Sequence, residues 1–329
     1  MYSQSLIALY SEPMPRFLRP NDFLYPQPLE DLFALSQPLF LEVGFGDGRF
    51  WATQHQLEGE VNYLGVEVSG VSLQKAFARY LTAGIKDNAV LVRMSAEFLI
   101  RNALPEQSIS RVYLNFPDPW FKGKHEENRF VRSETFELLS TRLVKNGELW
   151  LTTDHPPYYD FALEQAASTG LFEIIPDEPP QAALQTKYAM RWQAQGLNIH
   201  HARFKVRNAS KKEFSRLEIK KEKIMPHAQL TGTLPTKPLE KVVAQFEHCT
   251  VILLESFTRE NRLIILARVE EPDYAQELLI GVGKNEDGRI IAQLESFGQP
   301  LITSGVKKSV GVVADWLEAQ GMSVVRRAY

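Results

Sequence analysis

From Leu39 onward, short apolar runs alternate with longer segments of helical period, and that alternation restricts the fold more than any other feature of the chain. Each apolar run suits a buried strand and each intervening segment a crossover helix, so consecutive strands lie parallel with helices on the sheet faces. Strands are expected near 39–43, 62–66, 89–93, 110–115 and 147–152, with helical patterns over 48–56, 70–83, 96–101, 133–143 and 158–169. This is a doubly wound α/β sheet, which further strands near 171–175 and 199–206 would complete with an antiparallel edge.

A chain of 329 residues is longer than one domain usually is, which predicts a large domain and a smaller one. Residues 1–38 carry Pro13, Pro15, Pro20, Pro26, Pro28 and Pro38 without sustained period, so an irregular arm is expected ahead of a domain over 39–207. Residues 208–241 read as a basic segment and linker, with Pro235 and Pro238 among small polar residues. Beyond it, TVILLES, RLIILARV and QELLIGVG are spaced like antiparallel strands and 310–319 like a terminal helix, giving a smaller α+β domain over 242–329.

Composition excludes several classes. No apolar run approaches the roughly 18 residues of a membrane span, and the first residues lack the features of a secretion signal, so a cytoplasmic protein with no membrane partner is expected. The one cysteine, Cys249, sits in the apolar run CTVILL, as a buried structural thiol would. None of the 7 histidines falls in a metal-ligand spacing, so no metal is expected. The net charge of -3 is mildly unfavourable for nucleic acid, yet 203–223 is locally cationic: Arg203, Lys205, Arg207, Lys211, Lys212, Arg216, Lys220, Lys221 and Lys223 outnumber Glu213, Glu218 and Glu222. Such a run is either a solvated face or a stripe that contacts RNA.

The first expected strand runs into Glu42-Val43-Gly44-Phe45-Gly46-Asp47-Gly48 and then a helix. Glycines there allow a tight turn and let a ligand approach the backbone beneath a helix N-terminus. Glu67 closes the next strand, 21 residues after Gly46, where a carboxylate can take both hydroxyls of a ribose. The crevice therefore suits a dinucleotide or S-adenosylmethionine. A dinucleotide turn wants a third glycine where Arg49 stands, and Gly44-x-Gly46-x-Gly48 resembles the methyltransferase turn instead.

Directly after the fourth strand comes Asn115-Phe116-Pro117-Asp118-Pro119-Trp120-Phe121-Lys122-Gly123-Lys124-His125. Two prolines hold Asp118 rigidly at the carboxyl edge of the sheet, where ligands of open α/β folds bind. FPDPW-x-K-x-x-H, together with LEVGFGDG, GVEVS, LTTD and TKY, resembles the bacterial tRNA (guanine-N7-)-methyltransferase family over about 39–206. The resemblance implies S-adenosylmethionine as methyl donor, tRNA as partner and N7 of a variable-loop guanosine as target. Glu42 would lie near the methionine end of the cofactor, with Gly44, Gly46, Gly48, Glu67, Ser95 and Asn115 also on it. Asp118 would border cofactor and guanine as the catalytic carboxylate. Lys122 and Asp154 would contact the nucleoside, Thr186, Lys187 and Tyr188 would close the pocket, and His125 and Arg129 would belong to a basic loop.

That chemistry suits the residue types. Guanine N7 has an in-plane lone pair and no proton, so it attacks the sulfonium methyl without a general base and positioning dominates. A carboxylate can accept from the guanine N1 and N2 edge and stabilise the charge that develops on the purine.

Three positions depart from the family's pattern: Ser95 stands where an acid usually meets the adenine amino group, the loop after His125 reads Glu126-Glu127-Asn128-Arg129, and Ala189 replaces a glutamate. A serine hydroxyl can accept the adenine bond more weakly, and the cationic 203–223 stretch with the C-terminal domain would compensate for the less basic loop. The alternatives are a catalytically impaired tRNA-binding protein and a methyltransferase for another RNA; a nicotinamide oxidoreductase is disfavoured by Arg49.

Overall fold

The computed structural model describes residues 14–120, 129–219, 225–259, 261–272, 274–285 and 288–329. The chain divides into two compact units, Met1–Ser215 and Arg216–Tyr329.

The first unit is built on eight strands: β1 (Arg16–Leu18), β2 (Leu39–Val43), β3 (Asn62–Glu67), β4 (Ala89–Arg93), β5 (Ile109–Asn115), β6 (Leu143–Thr153), β7 (Phe172–Pro176) and β8 (His200–Val206). Their order is β1-β4-β3-β2-β5-β6-β8-β7. The strands from β1 to β6 in that order are parallel, and β8 runs antiparallel to both β6 and β7. The chain leaves β2 toward β3 and β4, then returns to the other side of β2 as β5, so the carboxyl ends of β2 and β5 form the switch point where an open α/β sheet leaves a crevice. Strands β2, β3 and β4 are almost wholly buried, which is why they read as continuous apolar runs. Against one face the Trp51 and Tyr63 rings stack with centroids 4.2 Å apart, amid Phe40, Phe50, Tyr80 and Tyr113.

The irregular arm expected over 1–38 contains β1, which adds to β4 in parallel register. A three-residue strand between Pro15 and Pro20 is too short to show a period of two, so only pairing with β4 reveals it. The basic stretch also differs from expectation. Its first residues lie on β8, where Arg203 pairs with Asp177 at 2.8 Å and with Glu148 at 3.6 Å. Arg207 lies 3.5 Å from Glu173, and Lys212 lies 2.9 Å from Glu137. Residues 208–219 form no regular structure, and Lys220, Lys221 and Lys223 fall outside the described residues. The stretch is therefore no single helix face, and several of its charges are matched by acids distant in sequence.

The second unit is an antiparallel sheet of β9 (His227–Thr231), β10 (Val242–Phe246), β11 (Cys249–Arg259), β12 (Arg262–Glu271), β13 (Tyr274–Lys284), β14 (Ile290–Leu294) and β15 (Ser323–Ala328), in the order β10-β11-β12-β13-β14-β9-β15. Leu263, Ile265, Ala267 and Val269 alternate along β12 and face the helix Ser304–Ala319, which buries Val306, Val310, Val313 and Leu317 against the sheet. Strand β9 corrects the linker expected over 208–241. His227–Thr231 pairs with both β14 and β15 and is an inner strand of the sheet, although it precedes the proline-rich segment. Cys249 is buried, and burial raises its thiol pKa.

Glu271 ties the helix to the sheet. Its carboxylate accepts the Thr303 hydroxyl and, at 3.0 Å, the Gly305 N–H, while Thr303 caps the helix by accepting from Val306 N. A β-carbon at Gly305 would stand 2.7 Å from Val269 and 2.9 Å from Glu271, so only glycine lets the helix start this close to β12. Glu271→Ala leaves both donors buried without that acceptor and is expected to lower stability by about 2–3 kcal/mol, read as the urea midpoint of the second unit. A shift equivalent to less than about 0.5 kcal/mol, the range of neutral surface changes, would show that the clamp contributes nothing.

Candidate active site

The glycine turn after β2 adopts left-handed backbone at alternate residues, with φ of 69° at Gly44, 54° at Gly46 and 75° at Gly48. A β-carbon at Gly44 or Gly46 would meet no protein atom within 4 Å. The room those two glycines leave belongs to the cavity beside them, and a side chain there would project where a ligand must approach. Gly48 has another reason to be glycine. It does not line the cavity, and a β-carbon there would lie 2.7 Å from the Tyr80 ring and 2.8 Å from the Ala76 side chain. The cofactor role expected for Gly48 thus becomes a packing role: it lets the helix Gly70–Thr82 close against the turn.

Glu67, at the end of β3, accepts from Gly46 N at 3.0 Å through one oxygen and from Val68 N and Ser69 N at 2.9 Å through the other. It locks the turn to the next strand while facing the cavity. Arg79 secures the turn from behind, its Nε donating to the Asp47 carbonyl at 2.9 Å. No spacing in the sequence announces that contact, because Arg79 looks like any charged residue on a helix face.

Past β5, Phe116 N donates to the Thr152 carbonyl at 2.7 Å, and both Phe116 and Trp120 hold positive φ, 51° and 47°. Left-handed backbone costs a residue with a β-carbon about 1–2 kcal/mol, so this loop is held in place by its surroundings. Arg129 supplies part of that support. It was expected on a basic loop facing RNA, but it is 7% exposed, its Nε donates to the Pro119 carbonyl at 3.1 Å, and its guanidinium lies 4.6 Å from the Phe161 ring centroid. The arginine thereby supplies the Pro119 carbonyl with a donor.

A cavity of about 540 Å³ opens at this switch point. It brings together Glu42, Gly44, Gly46 and Glu67 with Ser95, Asn115 and Asp118, and Thr186, Lys187 and Tyr188 from farther along the chain also line it. Thr186 caps the helix Lys187–Ala194, accepting from Ala189 N, and so fixes the segment that brings Lys187 and Tyr188 to the mouth. Ser95 caps the short helix Ala96–Phe98, accepting from Phe98 N at 3.1 Å. Asp154, one residue past β6, stands at the same sheet edge without lining the cavity, and Lys122 and His125 lie outside the described residues. Sequence reasoning missed Arg49, Lys75, Glu97, Phe130 and Tyr158, all of which line the cavity. Among the described residues, no group of three or more His, Cys, Asp or Glu could hold a metal ion, and no helix is long and apolar enough to cross a membrane.

Glu42 is 2% exposed, and burial raises its carboxyl pKa to about 8, against the opposing effect of the Tyr63 hydroxyl donating to it at 2.6 Å. Because the folded pKa exceeds the unfolded one, the folded chain keeps a proton that the unfolded chain gives up between roughly pH 4.5 and 8, and stability falls as pH rises through that window. Glu42→Gln removes the ionisation while retaining an acceptor for Tyr63. Without added cofactor, its unfolding free energy relative to the parent is expected to rise by up to about 4 kcal/mol between pH 5 and pH 9. A pH-independent difference would show that Glu42 ionises normally.

The lining fits a cationic nucleoside with a hydrogen-bonding edge. Glu42, Asp47, Glu67, Glu97 and Asp118 face the cavity. The Asn115 amide lies near enough to Glu42 to favour its ionised form, but at no geometry that makes a hydrogen bond, so Asn115 Nδ2 is a buried donor without a partner among the described residues. A doubly wound sheet that opens such an acidic crevice over a glycine turn, with arginine where a dinucleotide site needs its third glycine, is that of an S-adenosylmethionine-dependent methyltransferase with a Rossmann-like sheet. A family model described as "Putative methyltransferase" matches residues 36–202. A tRNA (guanine-N(7)-)-methyltransferase from Deinococcus radiodurans is 40% identical over 324 residues, covering 94% of this chain and 99% of its own length. One from Thermus thermophilus is 39% identical, covering 92% of this chain and 96% of its own, and one from Lachnoclostridium phytofermentans is 29% identical over 56% of this chain and 91% of its own. This chain belongs to the tRNA (guanine-N(7)-)-methyltransferase family.

Proposed function

We propose that this chain transfers the methyl group of S-adenosylmethionine to N7 of a guanosine in the variable loop of tRNA. The observation that carries the reading is that the proline-held loop with Asp118 and the glycine turn with Glu67 line one cavity. Bound S-adenosylmethionine supplies an electrophilic methyl group on a sulfonium. Glu67 retains acceptor capacity beyond its three backbone N–H bonds and takes the ribose hydroxyls, while Glu42 and Asn115 serve the methionine end. Ser95, whose Oγ accepts from Phe98 N, and Glu97 lie on the wall that the adenine amino group would meet.

Asp118 accepts from the guanine N1 and N2 edge, which holds N7 toward the methyl and balances the charge that grows on the purine. Adenine and cytosine do not present that pair of donors. Trp120 and Tyr188, 42% and 52% exposed, both line the cavity and offer aromatic faces to a base that leaves its stack. Thr186 and Lys187 close the same mouth, Asp154 and Lys122 contact the nucleoside, and His125 meets the RNA backbone.

The test is incubation of the protein with unmodified tRNA transcript and labelled S-adenosylmethionine, followed by nucleoside analysis. N7-methylguanosine at one position is expected. A methyl group on another base or another RNA would overturn the assignment of target, and tRNA binding without transfer would identify an impaired binder.

A further inference from the structure

Behind the cavity, a chain of buried hydroxyls leads away from Glu42. The Tyr63 hydroxyl donates to Glu42 Oε2 at 2.6 Å and lies 2.9 Å from the Tyr80 hydroxyl, and the side chains of both tyrosines are wholly buried. The slot for this chain is built into the sheet. Gly65 lies beside Glu42 in the β2–β3 register, and a β-carbon there would stand 2.9 Å from the Tyr63 hydroxyl and 2.7 Å from the Phe45 ring. Glycine at 65 is what lets the Tyr63 ring run along the strand to reach the carboxyl group.

We propose that Tyr63 is a positioning residue for cofactor recognition: backed by Tyr80, it clamps one oxygen of Glu42 and turns the other to the cavity, and the carboxyl group gives its proton to solvent when the cationic cofactor binds. The inference rests on the reading of this cavity as the S-adenosylmethionine site. The groups around Glu42 are consistent with a proton that leaves only on occupancy. Tyr63 and Glu67 face it from β3, Tyr80 from the helix Gly70–Thr82 and Asp47 from the glycine turn, while the neutral Asn115 adjoins it from β5. The nearby cations, Arg49 and Arg79, are both engaged with Asp47, at 2.9 Å and 3.3 Å. Burial first, and then the Glu67 and Asp47 carboxylates, disfavour a further negative charge at Glu42 until a ligand brings a positive one, and Tyr63, itself held by burial far above its ordinary pKa, stays a donor to the anion throughout. In the balance, the Glu42 carboxyl group becomes a carboxylate, its proton passes through the cavity mouth to buffer, and no bond of the cofactor is altered.

The test is calorimetric titration of the full chain with S-adenosylmethionine at pH 7 in two buffers of different ionisation enthalpy. With a carboxyl pKa of about 8, release of roughly 0.9 proton per site is expected, and Glu42→Gln should abolish it. Tyr63→Phe should raise KM for the cofactor about tenfold with kcat held within about twofold, the split expected when uniform binding is lost. Tyr80→Phe, which keeps the Tyr63 bond, should give a smaller rise in the same direction and serves where Tyr63→Phe does not fold. Cofactor binding without proton release, or a Tyr63→Phe or Tyr80→Phe variant with unchanged KM and proton count, would overturn the inference while leaving the cofactor site intact. Absence of any cofactor binding by the parent would overturn the site and the inference together.

Discussion

Asp118→Ala is expected to lower kcat/KM for methyl transfer to tRNA by about 10²–10³-fold, the cost of removing one preorganised group that meets charge developing in a transition state. The reasoning starts from the loop. Pro117 and Pro119 restrict the backbone on both sides of Asp118, Phe116 and Trp120 hold positive φ, and Arg129 satisfies the Pro119 carbonyl from a buried position. A carboxylate held this firmly serves orientation, which is most of what an N7 nucleophile without a proton requires. Asp118 is exposed and takes no part in the hydrophobic core, so the variant should unfold within about 0.5 kcal/mol of the parent. Asp118→Asn is informative beside it, because its amide keeps one acceptor but sets an NH2 donor against the other guanine donor and carries no charge, so it should recover little of the loss. A loss below about tenfold in both variants would remove Asp118 from the reaction.

Gly48→Ala should have the largest effect on folding. The residue is left-handed at φ 75°, and its β-carbon would fall 2.7 Å from the Tyr80 ring, 2.8 Å from Ala76 Cβ and 2.9 Å from Ala76 Cα. The left-handed conformation costs about 1–2 kcal/mol and overpacking about 1–3 kcal/mol, so a loss of about 2–5 kcal/mol is expected from the urea unfolding midpoint. The helix Gly70–Thr82 must shift to relieve the contact, which also displaces Tyr80 from Tyr63. Gly44→Ala is the control: its β-carbon would meet no protein atom, so its stability loss should stay near the conformational cost alone while cofactor affinity falls. Equal stability losses in the two variants would show that the clash at Gly48 relaxes without penalty.

These residues illustrate what was legible in the chain. Strand β2, the glycine turn and Glu67 could be read because each is local: a buried parallel strand is a continuous apolar run, and the carboxylate that faces the cavity ends the next strand. Asp118 could be read because two prolines announce rigidity at a strand end. Gly48 was legible as a turn glycine but not as a packing glycine, because its partners Tyr80 and Ala76 lie on a different helix. Arg129 was misread for a related reason: a charged residue near a basic motif looks like a ligand contact until a backbone carbonyl is found beside it.

What the sequence by itself determined is the set of features carried by neighbours along the chain: the alternation that makes a doubly wound sheet, the turn that leaves room for a cofactor, and the proline-held carboxylate beyond β5. Tertiary structure alone decided that β1 adds to β4, that β9 pairs between β14 and β15, and that Tyr63 reaches Glu42 across Gly65. A three-residue strand carries too little period to declare itself, and a strand's partner is chosen by burial of one face against elements remote in sequence. The charge state of Glu42 was decided mainly in the same way, since desolvation depends on everything packed around a carboxyl group, most of it remote in sequence.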